Sequence, residues 1–442
     1  MMLFAKDLTP RHGGTEDTKF EDLTPRHGGT EGTKEFKFFI PSRHSRHSRH
    51  SRNSLTLLSP SPLKNFVPLC LCVSLFLLSC PSNPEAPGPL KEAAGSENTR
   101  RLYNYLADQY FNYIISGQMD TSWTTNKGLS NSSDMISRVH NDTGKYPAIK
   151  GFDLIQLPYP NSPYFAGREQ IDEAIEWWEG KNNGVKLLPD QPDIHGIVVF
   201  CWHWRVTSNQ FDTSRTSFRI PWDADANALD TSKAEFQTIK NDLDKVAALF
   251  QIMKDKAIPV LWRPLHEASG GWFWWGASGA KPYIALWEYM HDYLANVKGL
   301  DNLIWVWNGQ NKDWFPNPAT VDIVGYDYYP WPRETQAQLQ NYNSQKATFI
   351  NTEAMIKGEN NLIVALTENA GIPDPDKCRE DGAMWSWFMV WNDSKAEGVD
   401  DKENFWTGNF VNTQAHKEHV YNHDLVITLD ELPDITQYRL EY

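Results

Sequence analysis

Two glutamates stand where buried strands should hold none. Glu267 ends the apolar run "IPVLWRPLHE" at 258–267, and Glu368 lies near the end of "NLIVALTENA" at 361–370. A carboxylate inside a parallel sheet must be desolvated, which is unfavourable unless it is paired or protonated. An ion pair with Arg263 would account for Glu267 alone. A carboxylate pair would account for both. Held about 5–5.5 Å apart, one carboxyl protonates a glycosidic oxygen while the other attacks the anomeric carbon, with net retention. The two must then differ in pKa, which only their surroundings can arrange. Glu267 leads into the aromatic loop "ASGGWFWWG" at 268–276, and such a setting raises a carboxyl's pKa and suits a general acid. Glu368 stays ionised if hydroxyls or cations surround it.

Trp272, Trp274 and Trp275 follow Glu267, and Gly270-Gly271 supplies the turn. Indole has a broad apolar face and one N–H donor. It suits a protein core and equally the C–H face of a sugar. With 19 tryptophans in 442 residues, both uses are expected, and at least one of these three should face a cleft.

The elements that must position these residues follow a regular pattern. Eight candidate strands are read at 113–118, 148–155, 196–204, 258–267, 302–309, 321–329, 361–370 and 383–393. Amphipathic helical stretches lie between them, as at 169–180, 239–256 and 281–298. Continuously apolar strands alternating with helices indicate a parallel sheet buried on both faces. Eight such units indicate a single-domain α/β fold, a (β/α)8 TIM barrel over 99–442. An open doubly wound sheet is the alternative, but no Gly-rich nucleotide loop follows any strand. Each strand starts apolar and ends polar or aromatic: Gln118 with Asp120, Asp153, His203, His266 with Glu267, Asn308, Asp327 with Tyr329, Glu368, Trp391. In a barrel enzyme these C-terminal ends form the active-site face.

The chain ahead of the barrel differs. Residues 7–21 recur as 22–36, and "SRHSRHSRHSRN" follows at 42–53. Repeats with so few apolar residues cannot build a core, so 1–63 is a disordered leader or lies upstream of the true start. The segment 64–80 has a lysine flank and an apolar run ending in Leu-Leu-Ser-Cys. It resembles a bacterial lipoprotein signal, with Cys80 the acylated residue; an ordinary secretory signal is the alternative. A Pro-rich tether spans 81–98. The expected location is the bacterial cell envelope, lipid-anchored at Cys80, or the medium.

The net charge of −14 and the lack of a basic patch exclude nucleic acid as a partner. Cys201 and Cys378 are the only cysteines in the barrel region and make no disulfide framework. His416, His419 and His423 are spaced to share a helix face and could hold a metal; a solvated terminal helix is the expected reading. Nothing implies a metal or a cofactor, and a monomer is expected.

The resemblance to one family is specific. "WRPLHEASGGWFWWG" resembles the acid/base motif of family 26 glycoside hydrolases, the β-mannanase family, and "IVALTENAGIPDPD" resembles its nucleophile strand. The likeness continues through "ISGQMDTSW", "FCWHWRV", "LIWVWNGQNKDWFP" and "DGAMWSWFMVWND" and covers roughly 100–430. It implies a (β/α)8 fold, with Glu267 as acid/base after strand four and Glu368 as nucleophile after strand seven. It implies that His266 lines the site, and that His203 binds the sugar on the non-reducing side of the scissile bond. Trp391 would be the floor under that sugar, and Trp272 the aromatic beyond the cleavage point. Tyr329 would hydrogen-bond the nucleophile. Tyr326 and Tyr328 are close enough for a one-residue slip, but strand alternation puts Tyr329 on the face of Asp327. The activity implied is retaining hydrolysis of β-1,4-mannosidic bonds in mannan, glucomannan or galactomannan, with the polysaccharide as partner. Mixed-linkage β-glucan and β-1,3-xylan are alternative substrates for the same mechanism. A non-catalytic surface glycan-binding lipoprotein is the alternative of a different class.

Overall fold

The computed structural model describes residues 87–90, 95–120, 134–157, 167–206, 210–330, 335–356, 361–394 and 399–441. The repeats of 1–63, the segment 64–80 with Cys80, and most of the tether lie outside the described residues.

Seven parallel strands pair in the order of the sequence: β1 (Gly117–Met119), β2 (Ile149–Asp153), β3 (Ile197–Cys201), β4 (Val260–Arg263), β5 (Leu303–Trp307), β6 (Ile323–Tyr328) and β7 (Ile363–Asn369). Every residue of β2, β3, β4, β5 and β7 is buried. That is why these runs are apolar without alternation: one face packs into the barrel and the other against helices.

The segment 386–391 fills the eighth position. It bonds to β7 through Ser386 N–H to Val364 O, Leu366 N–H to Trp387 O and Asn369 N–H to Met389 O. On its other side Ile115 N–H donates to Ser386 O, Val390 N–H to Gly117 O and Met119 N–H to Val390 O. The sheet therefore closes on itself as a (β/α)8 barrel. The segment is less regular than its neighbours because the Asn369 side chain takes the place of a backbone carbonyl, accepting Met389 N–H at 2.8 Å. The first strand also departs from expectation. It divides at Ser116, and Ile114–Ile115 pairs with Val426–Ile427 outside the barrel sheet.

The helices expected from periodicity form where the pattern places them: α1 (Arg168–Trp178), α2 (Ala234–Lys254) and α3 (Ala280–His291). Most of the tryptophans are core residues, among them Trp202, Trp204, Trp262, Trp305 and Trp307. Cys201 and Cys378 are buried and free. Among the described residues no helix is long and apolar enough to cross a membrane.

Candidate active site

Glu267 reaches the barrel mouth through a backbone that turns sharply after β4. Leu265 and Glu267 both adopt the left-handed region, at φ 52 and 53. Non-glycine residues held there cost about 1–3 kcal/mol each and persist only where the surroundings fix them. Here Glu267 N–H bonds to Asn308 O at 2.7 Å, tying the loop to the end of β5. Trp275 donates its indole N–H to His266 O and Trp274 donates to Trp204 O, each at 2.8 Å. Both rings are fully buried. Two of the three indoles after Glu267 are thus internal fastenings of the loop. The third, Trp272, is half-buried, and its N–H reaches Glu267 Oε2 at 2.9 Å.

Glu368 is held from the opposite wall. A register shift between Tyr326 and Asp327 brings Asp327 directly across from Glu368. Such a bulge re-aims the side chains that follow it. The Arg263 guanidinium lies over both carboxylates, bonding Asp327 Oδ2 at 2.8 Å through Nη1 and Glu368 Oε1 through Nη2. The ion pair weighed for Arg263 with Glu267 is therefore made with Asp327 and Glu368 instead. Tyr329 donates its hydroxyl to Glu368 Oε2 at 2.8 Å. Asp327 Oδ1 accepts from Asn308 at 2.6 Å and from Thr367 at 2.7 Å. One carboxylate oxygen from each of Glu267, Asp327 and Glu368 lies within 4.8 Å of the others.

The two glutamates feel different fields. Burial, then the charges of Asp327 and Glu368, push Glu267 well above the usual carboxylate range, with the Trp272 hydrogen bond opposing. Burial and Asp327 also raise Glu368, but Arg263 and His203 pull it back, leaving it at about 7. Burial thus favours the protonated form of Glu267, while Arg263 and His203 favour the ionised form of Glu368. Burial, then Glu368, raises the Tyr329 hydroxyl well above its ordinary value, so it remains a donor.

Beside this pair lies an aromatic pocket wall. His203 is fixed by Asp153, which accepts its backbone N–H at 3.0 Å and its Nδ1–H at 2.7 Å. Its Nε2 meets His266 Nε2 at 3.3 Å. Burial, then His203 and Arg263, keep the His266 imidazole neutral, well below its usual range. His266 has no exposed surface and stands behind His203. The half-buried Trp391 ends the eighth segment, 5.7 Å from His203 between ring centroids.

The structure thus gathers Glu267, Glu368, His203, His266, Trp272, Tyr329 and Trp391 at the C-terminal ends of the strands. Asp153, Asn308 and Asp327 support them, but two other rim residues do not join. Gln118 bonds the backbone at Met119 and Val390, and Asp120 pairs with the buried Lys150 at 2.9 Å. Of the three C-terminal histidines, His419 and His423 lie with Asp376, one ligand atom of each within 4.8 Å of the others, and His416 does not join them. His416 turns inward, stacks on Tyr342 and bonds Ile372 O at 2.8 Å. His423 uses both nitrogens, Nδ1 accepting from Leu425 N–H and Nε2 facing Asp376. Thr367 carried no sequence signal, because a threonine in an apolar strand reads as a β-former.

Residues 92–431 match the sequence profile of glycosyl hydrolase family 26. The chain belongs to this family. It is 32% identical over 368 residues to a mannan endo-1,4-β-mannosidase of Thermothelomyces thermophilus, covering 79% of this chain and 66% of that one. It is 30% identical to mannan endo-1,4-β-mannosidase B of Piromyces, covering 78% and 53%. The chain thus spans between half and two thirds of the length of these relatives. Among solved structures it is similar to the GH26-CBM35 β-(1,4)-mannanase of Podospora anserina, with a TM-score of 0.64, 29% identity and coverage of 81% and 72%. The β-mannanase from a symbiotic protist of the termite Reticulitermes speratus gives a TM-score of 0.61, 28% identity and coverage of 78% and 97%. In this family 26 chain the close pair of carboxyls, one tending to stay protonated and one ion-paired, can protonate a leaving oxygen and attack the carbon it leaves.

Proposed function

We propose that the protein is a retaining glycoside hydrolase that cleaves β-1,4-mannosidic bonds in mannan, glucomannan or galactomannan. The observation that carries this reading is the carboxylate pair itself: Glu267 and Glu368 within 4.8 Å, held by unlike partners. That spacing suits direct attack and falls short of the roughly 6.5–9.5 Å that inverting enzymes keep for an attacking water. The substrate class rests on the similarity to mannan endo-1,4-β-mannosidases.

Glu368 is the nucleophile. Arg263 and Tyr329 orient its two oxygens, so one lone pair is aimed at the anomeric carbon. Glu267 is the acid/base. In the first step it gives its proton to the glycosidic oxygen, Glu368 bonds to the anomeric carbon, and the leaving chain departs. Glu368 then carries no charge, and the repulsion that favoured the protonated form of Glu267 falls. Glu267 can now take a proton from water, whose oxygen attacks the anomeric carbon and frees Glu368. His203, set by Asp153 and backed by His266, reads hydroxyls of the sugar on the non-reducing side. Trp391 is the floor beneath that sugar, and Trp272 stacks beyond the cleavage point.

Residues 64–80 serve as a lipoprotein-type signal, and acylation at Cys80 tethers the barrel to the envelope. A Cys80→Ala variant that remained membrane-bound would sink that part of the reading. For the activity, reducing-sugar release is measured on unbranched β-mannan, galactomannan, lichenan and β-1,3-xylan. Release from the mannans, with the β-anomer formed first by NMR, is expected. Release from lichenan or xylan alone overturns the substrate, and the α-anomer first overturns retention.

A further inference from the structure

Glu267 and Glu368 differ in how many donors they receive. Glu368 has Arg263 on one oxygen and Tyr329 on the other. Among the described residues the Glu267 carboxylate receives one hydrogen bond, from the indole N–H of Trp272 to Oε2 at 2.9 Å. The indole is not free to swing. A Cβ on Gly270 would stand 2.0 Å from two carbons of its six-membered ring, so the ring lies flat on bare backbone. The backbone under it is pinned by Thr213, whose N–H bonds Trp272 O at 2.8 Å and whose hydroxyl bonds Gly271 O at 2.9 Å. The ring is therefore fixed on one side by Gly270 and on the other by Glu267.

We propose that Trp272 is a positioning residue for Glu267: its N–H occupies Oε2 and so confines the transferable proton to Oε1. The reason is simple. Indole N–H only donates, and a proton on the oxygen it faces would set donor against donor. The same bond favours the ionised carboxylate that receives the water proton in the second step. Gly270 is part of the device, because any side chain there displaces the ring. This inference rests on Glu267 being the acid/base, and it assigns to the N–H a role separate from any stacking by the ring face.

The test uses the full chain with Trp272→Phe, which keeps an aromatic face and removes the N–H. The first step needs protonated Glu267, so its titration sets the basic limb of kcat/KM against pH. Loss of a hydrogen bond to a charged group moves that limb up by about one pH unit. Gly270→Ala, which pushes the ring away, is expected to move it in the same direction. Stacking alone predicts a higher KM on polysaccharide with the limb unmoved, and that result in both variants overturns the inference. Glu267→Ala, assayed on an activated aryl mannoside with azide, separates the two layers. Azide rescue with an unmoved limb in Trp272→Phe overturns this inference alone. Absence of rescue overturns the acid/base assignment and this inference together.

Discussion

The two walls of the cleft hold the same kind of side chain by opposite means. Glu368 stands on a strand, just past a bulge that sets it across from Asp327, and beneath a buried arginine. Glu267 stands on a loop with two left-handed residues, fastened by indoles and by one bond to the end of β5. The strand offers a place where a charge meets a cation on one oxygen and a hydroxyl on the other. The loop offers burial with a single donor. Burial raises both carboxyls and Arg263 opposes it at both, but only Glu368 takes the guanidinium in a direct hydrogen bond. Position in the fold, more than residue type, separates the proposed acid from the proposed nucleophile.

Substitutions that treat the two walls alike should give unlike results. Removal of the proposed nucleophile in Glu368→Ala should reduce hydrolysis of every substrate by several orders of magnitude. Glu267→Ala should lose about 10²–10⁴-fold on polysaccharide, as expected for one general acid. It should retain the first step on a substrate whose leaving group needs no proton, read as a burst of released phenol. Equal losses on both substrates would break the distinction between the walls.

Arg263→Met probes what the strand wall supplies. It leaves Asp327 and Glu368 buried without their shared cation, a change that costs about 3–5 kcal/mol of stability. It should also lift the acid limb of kcat/KM further above the ordinary carboxylate range, because Glu368 must ionise to attack. Thermal unfolding and a pH profile report the two effects separately. An unshifted acid limb would mean that Arg263 is purely structural.

The smallest effect concerns stability. Glu267 has its folded pKa raised, so the native state holds a proton that the unfolded chain releases. Its contribution is fully present below the unfolded pKa, near 4.3, and is lost as pH rises through the folded value. Glu267→Gln removes this dependence. The variant should be the more stable protein at neutral pH and lose that advantage near pH 4, each kcal/mol appearing as about 2 °C in Tm. A Tm difference that does not change with pH would show that Glu267 is not held protonated.

Much of this was legible in the sequence, for physical reasons. Strands buried on both faces must be apolar throughout, so the runs that became β2 to β7 announce themselves. A charged residue at the end of such a run is out of place unless it faces the barrel mouth, which is how Glu267 and Glu368 stand out. Contacts between distant strands were not legible. Arg263 lies four residues from Glu267 but bonds Glu368, 105 residues away. The bulge at Tyr326–Asp327 leaves no local mark, and neither does the Asn369 side chain that replaces a ladder carbonyl. The inward turn of His416 depends on Tyr342 and Ile372, which no helical spacing reveals. Of the tryptophans after Glu267, spacing could not tell the two that bolt the loop from the one that touches the carboxyl.

The closure at 386–391 has a consequence for how the protein is made. Until that segment is in place, β1 and β7 are open sheet edges carrying unpaired backbone groups. A nascent chain has already exposed Glu267, Glu368 and most of the core strands by then, but no continuous barrel. Fragments ending before residue 386 should therefore accumulate as insoluble material when expressed, while chains that extend past 391 can seal both edges in one event.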